Sequence, residues 1–453
     1  MPPVALLAAL WPCGLVQQAE VAPTDPRPGI EIRFARRSSE VTSSPFATLT
    51  SFEVHGPDED AGVIETMAAL GVKHVVMHNI HGSLGDARDP RLNAWLDGCA
   101  REGIDVRCIL VSPDAELWRT ALTSYGDRIH HWCYLNEPNA PGADNDHSKP
   151  VVRPEQYVEG LRQVRAVVKE VRPDAWLWGP EQAMLQHMEE GPWPWLRLAI
   201  EAGLLSQIDG FSFHPYRQGY SPENTPERPS TFEGRPTERY TTYEEQIGTL
   251  REMTRHKPVA VHEVGWSTTP EGPITELTQA KFALRQQIQD FALGIECCVW
   301  FLLRERHVDA PFAAGHLENH FGIVHTDNTP KPAYRALQSL YAQIHDGCAR
   351  AYPSVAFGRE GVKWYVFDDF TETPPARKVL YWLPIAAKDD CPVEQTGVRI
   401  GDVDVPSVPV SDVPRLLRLH RIEGTWGWPI VLDLVAQEAD RAVEWERIEE
   451  PAG

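Results

Sequence analysis

From Phe46 onward the chain alternates short apolar runs with longer amphipathic stretches, and the alternation recurs eight times. No other feature limits the possible folds as much. The apolar runs are FATLTSFEV, VKHVVMH, IDVRCILV, IHHWCYL, AWLWG, IDGFSF, PVAVHEV and CCVWFLL. Near-continuous apolarity suits parallel strands buried on both faces. The stretches between them carry helical spacing. PEQYVEGLRQVRAVVKEV begins with Pro154, where a helix tolerates proline, and ELTQAKFALRQQIQDFALG runs from Glu276. Eight such βα units predict an α/β fold, a closed (β/α)8 TIM barrel. An open doubly wound sheet is the rival. It often carries a glycine-rich phosphate turn, and no GxGxxG occurs here.

The eighth helix is expected from Pro332 to about His345. Beyond it, VKWYVFDD, KVLYWLP, GVRIGDV and PIVLDLV are short strands separated by Pro, Gly and Asp. The expected organisation is an N-terminal extension over residues 1–45, a barrel over 46–350 and an all-β domain over 351–453. In the extension, PPVALLAALWPCGL is apolar, but no Lys or Arg precedes it and no clean small-residue cleavage site follows. A poor secretory leader and a mature extension both fit. The reading leans to export, with a cytoplasmic location as the alternative.

A formal net charge of −21 over 453 residues, with no basic run, argues against nucleic acid and anionic membranes as partners. It suits a neutral ligand. Of the eight cysteines, Cys108, Cys133, Cys297 and Cys298 sit in apolar runs, and no CxxC occurs, so buried free thiols are expected. Oligomeric state is not legible.

A TIM barrel builds its active site at the C-terminal ends of its strands. The fourth run ends in Asn136-Glu137, the sixth in His214 and Tyr216, and the seventh carries Glu263 with Trp266 beyond it. The eighth carries Trp300, and Glu181 follows the fifth. A single Glu at a strand end is usually a solvated loop residue. Two, from strands four and seven, would face each other across the mouth, and paired carboxylates are what glycoside hydrolysis requires. Trp300 taken alone suits a core position as well as a sugar platform.

With Asn-Glu-Pro after strand four, Glu on strand seven, HPY after strand six and Trp on strand eight, residues 46–345 resemble clan A of the glycoside hydrolases, nearest to family 39. FGIVHTDNTPKPAYRAL, residues 321–337, resembles that clan's closing segment. The resemblance implies a retaining O-glycosidase without cofactor or metal, acting on a carbohydrate. Glu137 is then the acid/base and Glu263 the nucleophile. Asn136 binds the sugar 2-OH, Tyr216 orients Glu263 and His214 lines the same subsite. Trp300 forms the floor and Trp266 a wall. Glu181, in WGPEQA after strand five, is a further candidate for holding a hydroxyl, with a plain structural role as the alternative. The C-terminal domain resembles the β-sandwich of family 39 and family 51 members. The family 5 pattern is not met, because strand two ends MHNIHG and strand three LVSPD.

Two other functions compete. His74, His78 and His81 crowd strand two and His130 and His131 strand four, which opens a metal-dependent barrel hydrolase. No HxH or HExxH occurs, and adjacent histidines on a strand face opposite ways. A non-catalytic carbohydrate-binding barrel is the other. The long stretches Ala140 to Pro154 and Arg217 to Arg239 follow strands four and six. Rich in Pro and charge, they are expected to cover the site and narrow it to a pocket for short or terminal sugars.

Overall fold

The computed structural model describes residues 46–50, 57–79, 90–140, 151–183, 192–217, 220–223, 231–232, 235–236, 242–306, 316–372, 375–385, 387, 390–419, 421–422, 425–426 and 430–435. The expectations for residues 1–45, for His81 and for most of the two covering loops lie outside these residues.

Eight parallel strands close into a barrel. They are β1 (Phe46–Thr50), β2 (His74–Asn79), β3 (Asp105–Leu110), β4 (Ile129–Tyr134), β5 (Trp176–Ala183), β6 (Gly210–His214), β7 (Val259–Val264) and β8 (Cys298–Trp300). Closure comes from β1, which pairs with β2 on one side and with β8 on the other, Phe46 opposite Cys298. Among the described residues eight helices wrap the barrel: α1 (Pro57–Leu70), α2 (Pro90–Arg101), α3 (Ala115–Tyr125), α4 (Pro154–Val171), α5 (Pro192–Glu201), α6 (Tyr243–Met253), α7 (Glu276–Ala292) and α8 (Pro332–Gln343). None of them is long and apolar enough to cross a membrane.

Local chemistry sets the helix ends. Pro154 opens α4, where its missing N–H costs nothing, and Tyr157, Val158, Leu161, Val164 and Val168 form its buried stripe. A reciprocal capping box, Thr242 with Glu245, starts α6. Strand alternation divides the core in two. Val76, Ile109, Cys133, Trp178, Ala260 and Val299 fill the barrel, while Val75, Cys108, Trp132, Leu177, Phe211, Val261 and Trp300 pack under the helices.

After α8 come β9 (Cys348–Ala351), β10 (Val355–Phe357), β11 (Lys363–Asp369), β12 (Ala376–Trp382), β13 (Glu394–Ile400), β14 (Val403–Val410), β15 (Arg415–Leu419) and β16 (Ile430–Asp433). They form two antiparallel sheets, ordered β9-β11-β12-β15-β16 and β10-β13-β14. Val366, Val379, Tyr381, Val398, Val408 and Leu417 fill the space between them as in a β-sandwich. The other face of the larger sheet, with Tyr365, Phe367, Leu380 and Trp382, joins the core around the helices.

That packing explains α7, whose pattern alone predicts a solvated polar face. Gln279, Lys281, Arg285, Gln286, Gln289 and Asp290 are all buried. The sheets answer their charge: Lys281 pairs with Asp412 at 3.0 Å, and Arg285 donates to the carbonyls of Asp412 and Ile385. Buried cations need such partners. The cysteines expected to be buried free thiols are so.

Candidate active site

Three carboxylates turn into the barrel because the backbone breaks its regular pattern at each. At the end of β4, Leu135 and Glu137 adopt the left-handed region at φ 60° and 45°. Glu181 on β5 does the same at φ 54° and is the extra residue of a bulge, between Pro180 and Gln182 against Ser212 and Phe213. Strain of this kind collects at functional sites. On β7 the pairs Val261–Cys298 and Val264–Trp300 set three steps against two. Strict alternation would send either His262 or Glu263 to the helix layer. The bulge brings both inside, as bulges beside active sites do. Next to it, a Cβ on Gly265 would stand 2.1 Å from the Phe301 carbonyl oxygen, so only glycine lets the ends of β7 and β8 approach.

The ends of β4 and β5 are tied together. The Glu137 N–H donates to the Glu181 carbonyl at 3.1 Å. The Asn139 side chain donates to the Ala183 carbonyl at 2.7 Å and accepts from its N–H at 2.9 Å.

His214, fully buried at the end of β6, joins the three acids. Its Nδ1 lies 2.9 Å from Glu137 Oε1 and 3.6 Å from Glu263 Oε2, and its Nε2 lies 3.1 Å from Glu181 Oε2. Burial opposes a charge on the ring, but Glu263, Glu137 and Glu181 outweigh it and raise its pKa well above the ordinary histidine range. The ring is therefore an imidazolium that donates to Glu137 on one side and Glu181 on the other. Glu263 receives the Tyr216 hydroxyl at 3.1 Å, and His78 Nε2 stands 2.8 Å from its other oxygen. Burial resists its ionisation, and His214, His78 and Tyr216 overcome that and hold its pKa below the usual value.

Behind His214 lies a second group. Both oxygens of Glu181 contact His262 Nδ1, at 2.9 and 3.1 Å, and Ser212 donates to Oε1. His262 Nε2 faces Arg107 Nη1 at 3.4 Å. A guanidinium only donates, so Nε2 must be the bare nitrogen and Nδ1 carries the hydrogen given to Glu181. Burial lowers the His262 pKa and the Arg107 charge adds to this, so the ring is neutral.

Glu137 with His214 and Glu263, and Cys133 with Glu181 and His262, each lie close enough to suggest a metal cluster. The donor chemistry does not fit one. Both nitrogens of His214 face carboxylates, and Arg107 points a positive charge at His262. A third such group, His345, Cys348 and Asp369, already holds the Lys378 ammonium on Asp369, at 2.6 Å. Of the crowded histidines, His74 contacts Asp105 at 3.4 Å, and His131 accepts the Trp178 indole N–H at 2.9 Å.

The structure thus gathers Asn136, Glu137, His214, Tyr216 and Glu263 at the mouth. The Asn136 Oδ1 has no hydrogen-bond partner within the protein. Four expectations are corrected. His214 is wholly buried with a carboxylate on each ring nitrogen, so it lines no sugar subsite. Trp300 is wholly buried on the outer face of β8 and stacks on Trp266 at 5.9 Å, so it is no sugar floor. Trp266 packs on Phe282 of α7 and donates to the Tyr220 carbonyl, so it is no wall. Glu181 is fully buried with both oxygens occupied, so it holds no sugar hydroxyl.

Other site residues were not foreseen. Phe301, one residue past Trp300, turns inward and meets the Tyr216 ring edge-on at 6.0 Å. Glu318, after β8, lies 3.5 Å from Arg306. Burial, with the charges of Glu263 and Glu137, pushes its pKa up to about 7 against the pull of Arg306. Nothing in the local sequence marks either. Arg107 did leave a signal, a cation in the middle of a strand apolar on both faces.

No family model and no curated protein matches this sequence. Solved structures do match. A family 39 glycoside hydrolase from the gut symbiont Bacteroides cellulosilyticus WH2 aligns with TM-score 0.59 at 16% identity, over 86% of this chain and 79% of that one. The chain shares the fold of that family 39 glycoside hydrolase. A monomeric β-xylosidase from Caulobacter crescentus CB15 aligns with TM-score 0.49 at 14% identity, covering 78% of each chain. A glucosidase from Croceicoccus marinus gives 0.49 and 14%, covering 77% of each.

Proposed function

We propose that the protein is a retaining glycoside hydrolase working by double displacement, with Glu263 as nucleophile and Glu137 as acid/base. The observation that carries this reading is the pairing of the two acids. One oxygen of each lies within 4.8 Å of the other, at the ends of β4 and β7. Retention calls for carboxyls roughly 5 Å apart, whereas inversion leaves a water's room between them at roughly 6.5–9.5 Å.

Their surroundings support the division of roles. The Glu263 side chain is 6% exposed and ionised by its neighbours, as a nucleophile must be. That of Glu137 is 22% exposed, open to a leaving group and to water. Glu263 attacks the anomeric carbon while Glu137 gives its proton to the departing glycosidic oxygen. Glu137, now ionised, takes a proton from water, which attacks the glycosyl-enzyme and frees Glu263. His214 holds Oε1 of Glu137 and leaves Oε2 to carry the proton. Asn136 Oδ1, buried and without a hydrogen-bond partner in the protein, would accept from the 2-OH of a bound sugar, a contact that strengthens in the transition state.

The test is hydrolysis of a panel of aryl β-glycosides and α-L-arabinosides by wild type, Glu137→Ala and Glu263→Ala. Activated aryl leaving groups need little acid help. Glu263→Ala should be nearly inactive. Glu137→Ala should still cleave the best leaving groups and recover turnover with azide. Variants as active as wild type would refute the assignment. A wild type that binds glycans but cleaves nothing would favour a binding barrel.

A further inference from the structure

The hydrogen-bonded file Arg107–His262–Glu181–His214 runs from the inside of β3, across β7 and β5, to the paired acids. We propose that Arg107, His262 and Glu181 are positioning residues that fix the charge the two glutamates must share, acting on them through His214. The kinetic part of this inference rests on the glycosidase reading; the file itself does not.

The argument begins with burial. Arg107, Glu181, His214 and His262 are each at most 3% exposed, so water does little to screen them. None can touch a ligand. Arg107 and the imidazolium bring two positive charges and Glu181 one negative. One positive charge remains, matched by one negative charge at the mouth. Before attack Glu263 carries it while Glu137 is protonated. In the glycosyl-enzyme Glu263 is an ester and Glu137 carries it. The file thus has the same counter-charge to offer in both half-reactions. Other groups face these residues. Cys133 Sγ stands 3.6 Å from His262, and the Arg107 guanidinium lies over the Trp178 ring at 5.0 Å. At the barrel floor Asp105, a third exposed, faces Arg107 as well as His74 and His131; burial raises its pKa, His74, His131 and Arg107 together lower it, and its charge is common to every variant compared. At the mouth His78, Tyr216 and Glu318 with Arg306 surround the acids.

Removing a charge from the file has a definite sign. Without Glu181 the field at the mouth becomes more positive, so every proton there leaves at lower pH. Without Arg107 it becomes more negative, and every proton leaves at higher pH. Loss of Arg107 also frees His262 to take a proton in its place. The Arg107 arm is therefore made in a His262→Gln background.

The experiment compares wild type, Glu181→Gln, His262→Gln, Arg107→Met/His262→Gln and Arg107→Lys/His262→Gln. Two readouts are used: the pH profile of kcat/KM on an aryl glycoside, and ¹⁵N-histidine NMR across the same range. Both limbs of the Glu181→Gln profile should move to lower pH by about one unit, and its His214 should lose its charge at lower pH than in wild type. The Arg107→Met variant should move both limbs the other way relative to its background. The Lys variant should restore the background profile. A loosened site would lower the rate at every pH and leave the limbs in place, which would overturn the proposal. NMR decides if the wild type cleaves nothing. A His214 charged to alkaline pH in wild type, and less so in Glu181→Gln, supports the file even when the glycosidase reading fails. A His214 that titrates alike in both refutes it.

Discussion

The Tyr216 hydroxyl donates to Glu263 Oε2 at 3.1 Å, and the Tyr216 ring is pinned edge-on between Phe301 and Phe321, with centroids at 6.0 and 5.8 Å. The phenol therefore has little freedom to turn away, and its O–H favours the ionised carboxylate. Tyr216→Phe keeps the ring and removes only the donor. A hydrogen bond to a charged group is worth about 1.5–3 kcal/mol, so kcat should fall about 10- to 100-fold. The acid limb of the pH profile should also move up, since Glu263 without its donor ionises at higher pH. An unchanged limb would deny Tyr216 its role.

Trp300 and Phe301 separate packing from function in neighbouring residues. Trp300 lies wholly in the helix-side layer, stacked on Trp266, while Phe301 lies at the mouth. Trp300→Phe should lower stability by about 1–3 kcal/mol while kcat/KM stays within about threefold of wild type. Phe301→Ala should lower kcat/KM by at least about tenfold, because Tyr216 loses one wall. Urea unfolding together with kinetics on both variants would show it. A large kinetic loss in Trp300→Phe alone would restore the sugar floor.

The barrel was legible because eight doubly buried strands leave a period that survives in sequence. Glu137, Tyr216 and Glu263 stood out in the sequence as candidates because each lies at or just past the end of an apolar run. What stayed hidden depends on the breaks in that period. No residue around Glu263 announces the bulge on β7, and without it His262 and Glu263 cannot share the interior. The same applies to Glu181, whose left-handed backbone turns it toward His214 rather than toward a ligand. Trp300 misled for the converse reason. A large aromatic suits a sugar face and a helix-packed face equally, and only its direction decides.

The C-terminal sheets hold the segment between β6 and α6 at Glu223. The Trp382 indole on β12 donates to Glu223 Oε1 at 2.6 Å, Arg285 of α7 stands 3.7 Å from the other oxygen, and the Glu223 carbonyl accepts the Tyr243 N–H at the start of α6. Glu223 is buried, so losing the indole donor costs about 1–3 kcal/mol. Trp382→Phe should lower stability by that amount. Removal of residues 351–453 should leave a barrel that does not fold, because Lys281 and Arg285 would lose Asp412 and Ile385 and the apolar layer above α7 would be bare. A soluble, active truncated barrel would contradict this.

Asp290 gives a pH test away from the mouth. It is fully buried in α7, accepting the Tyr243 hydroxyl at 2.5 Å and the Gln286 amide at 2.9 Å. Burial dominates, against Tyr243, Gln286 and Arg217, and pushes its pKa up to about 6. The folded protein then holds a proton that the unfolded chain releases near the ordinary value of about 3.9. The sign follows from linkage. Where the folded state binds more protons, stability falls as pH rises. The contribution of Asp290 is thus full at the acid end and is lost as pH climbs through about 6. A shift of about two units corresponds to about 3 kcal/mol. Other carboxylates titrate in the same range, so the difference between wild type and Asp290→Asn isolates the effect. Asparagine keeps an acceptor for Tyr243 and cannot ionise. Relative to wild type, Asp290→Asn should therefore gain up to about 3 kcal/mol between pH 4 and pH 7.5, measured by urea unfolding at both. A difference that does not change with pH would mean Asp290 is ionised in the folded protein throughout, and that Arg217 rather than a retained proton answers its burial.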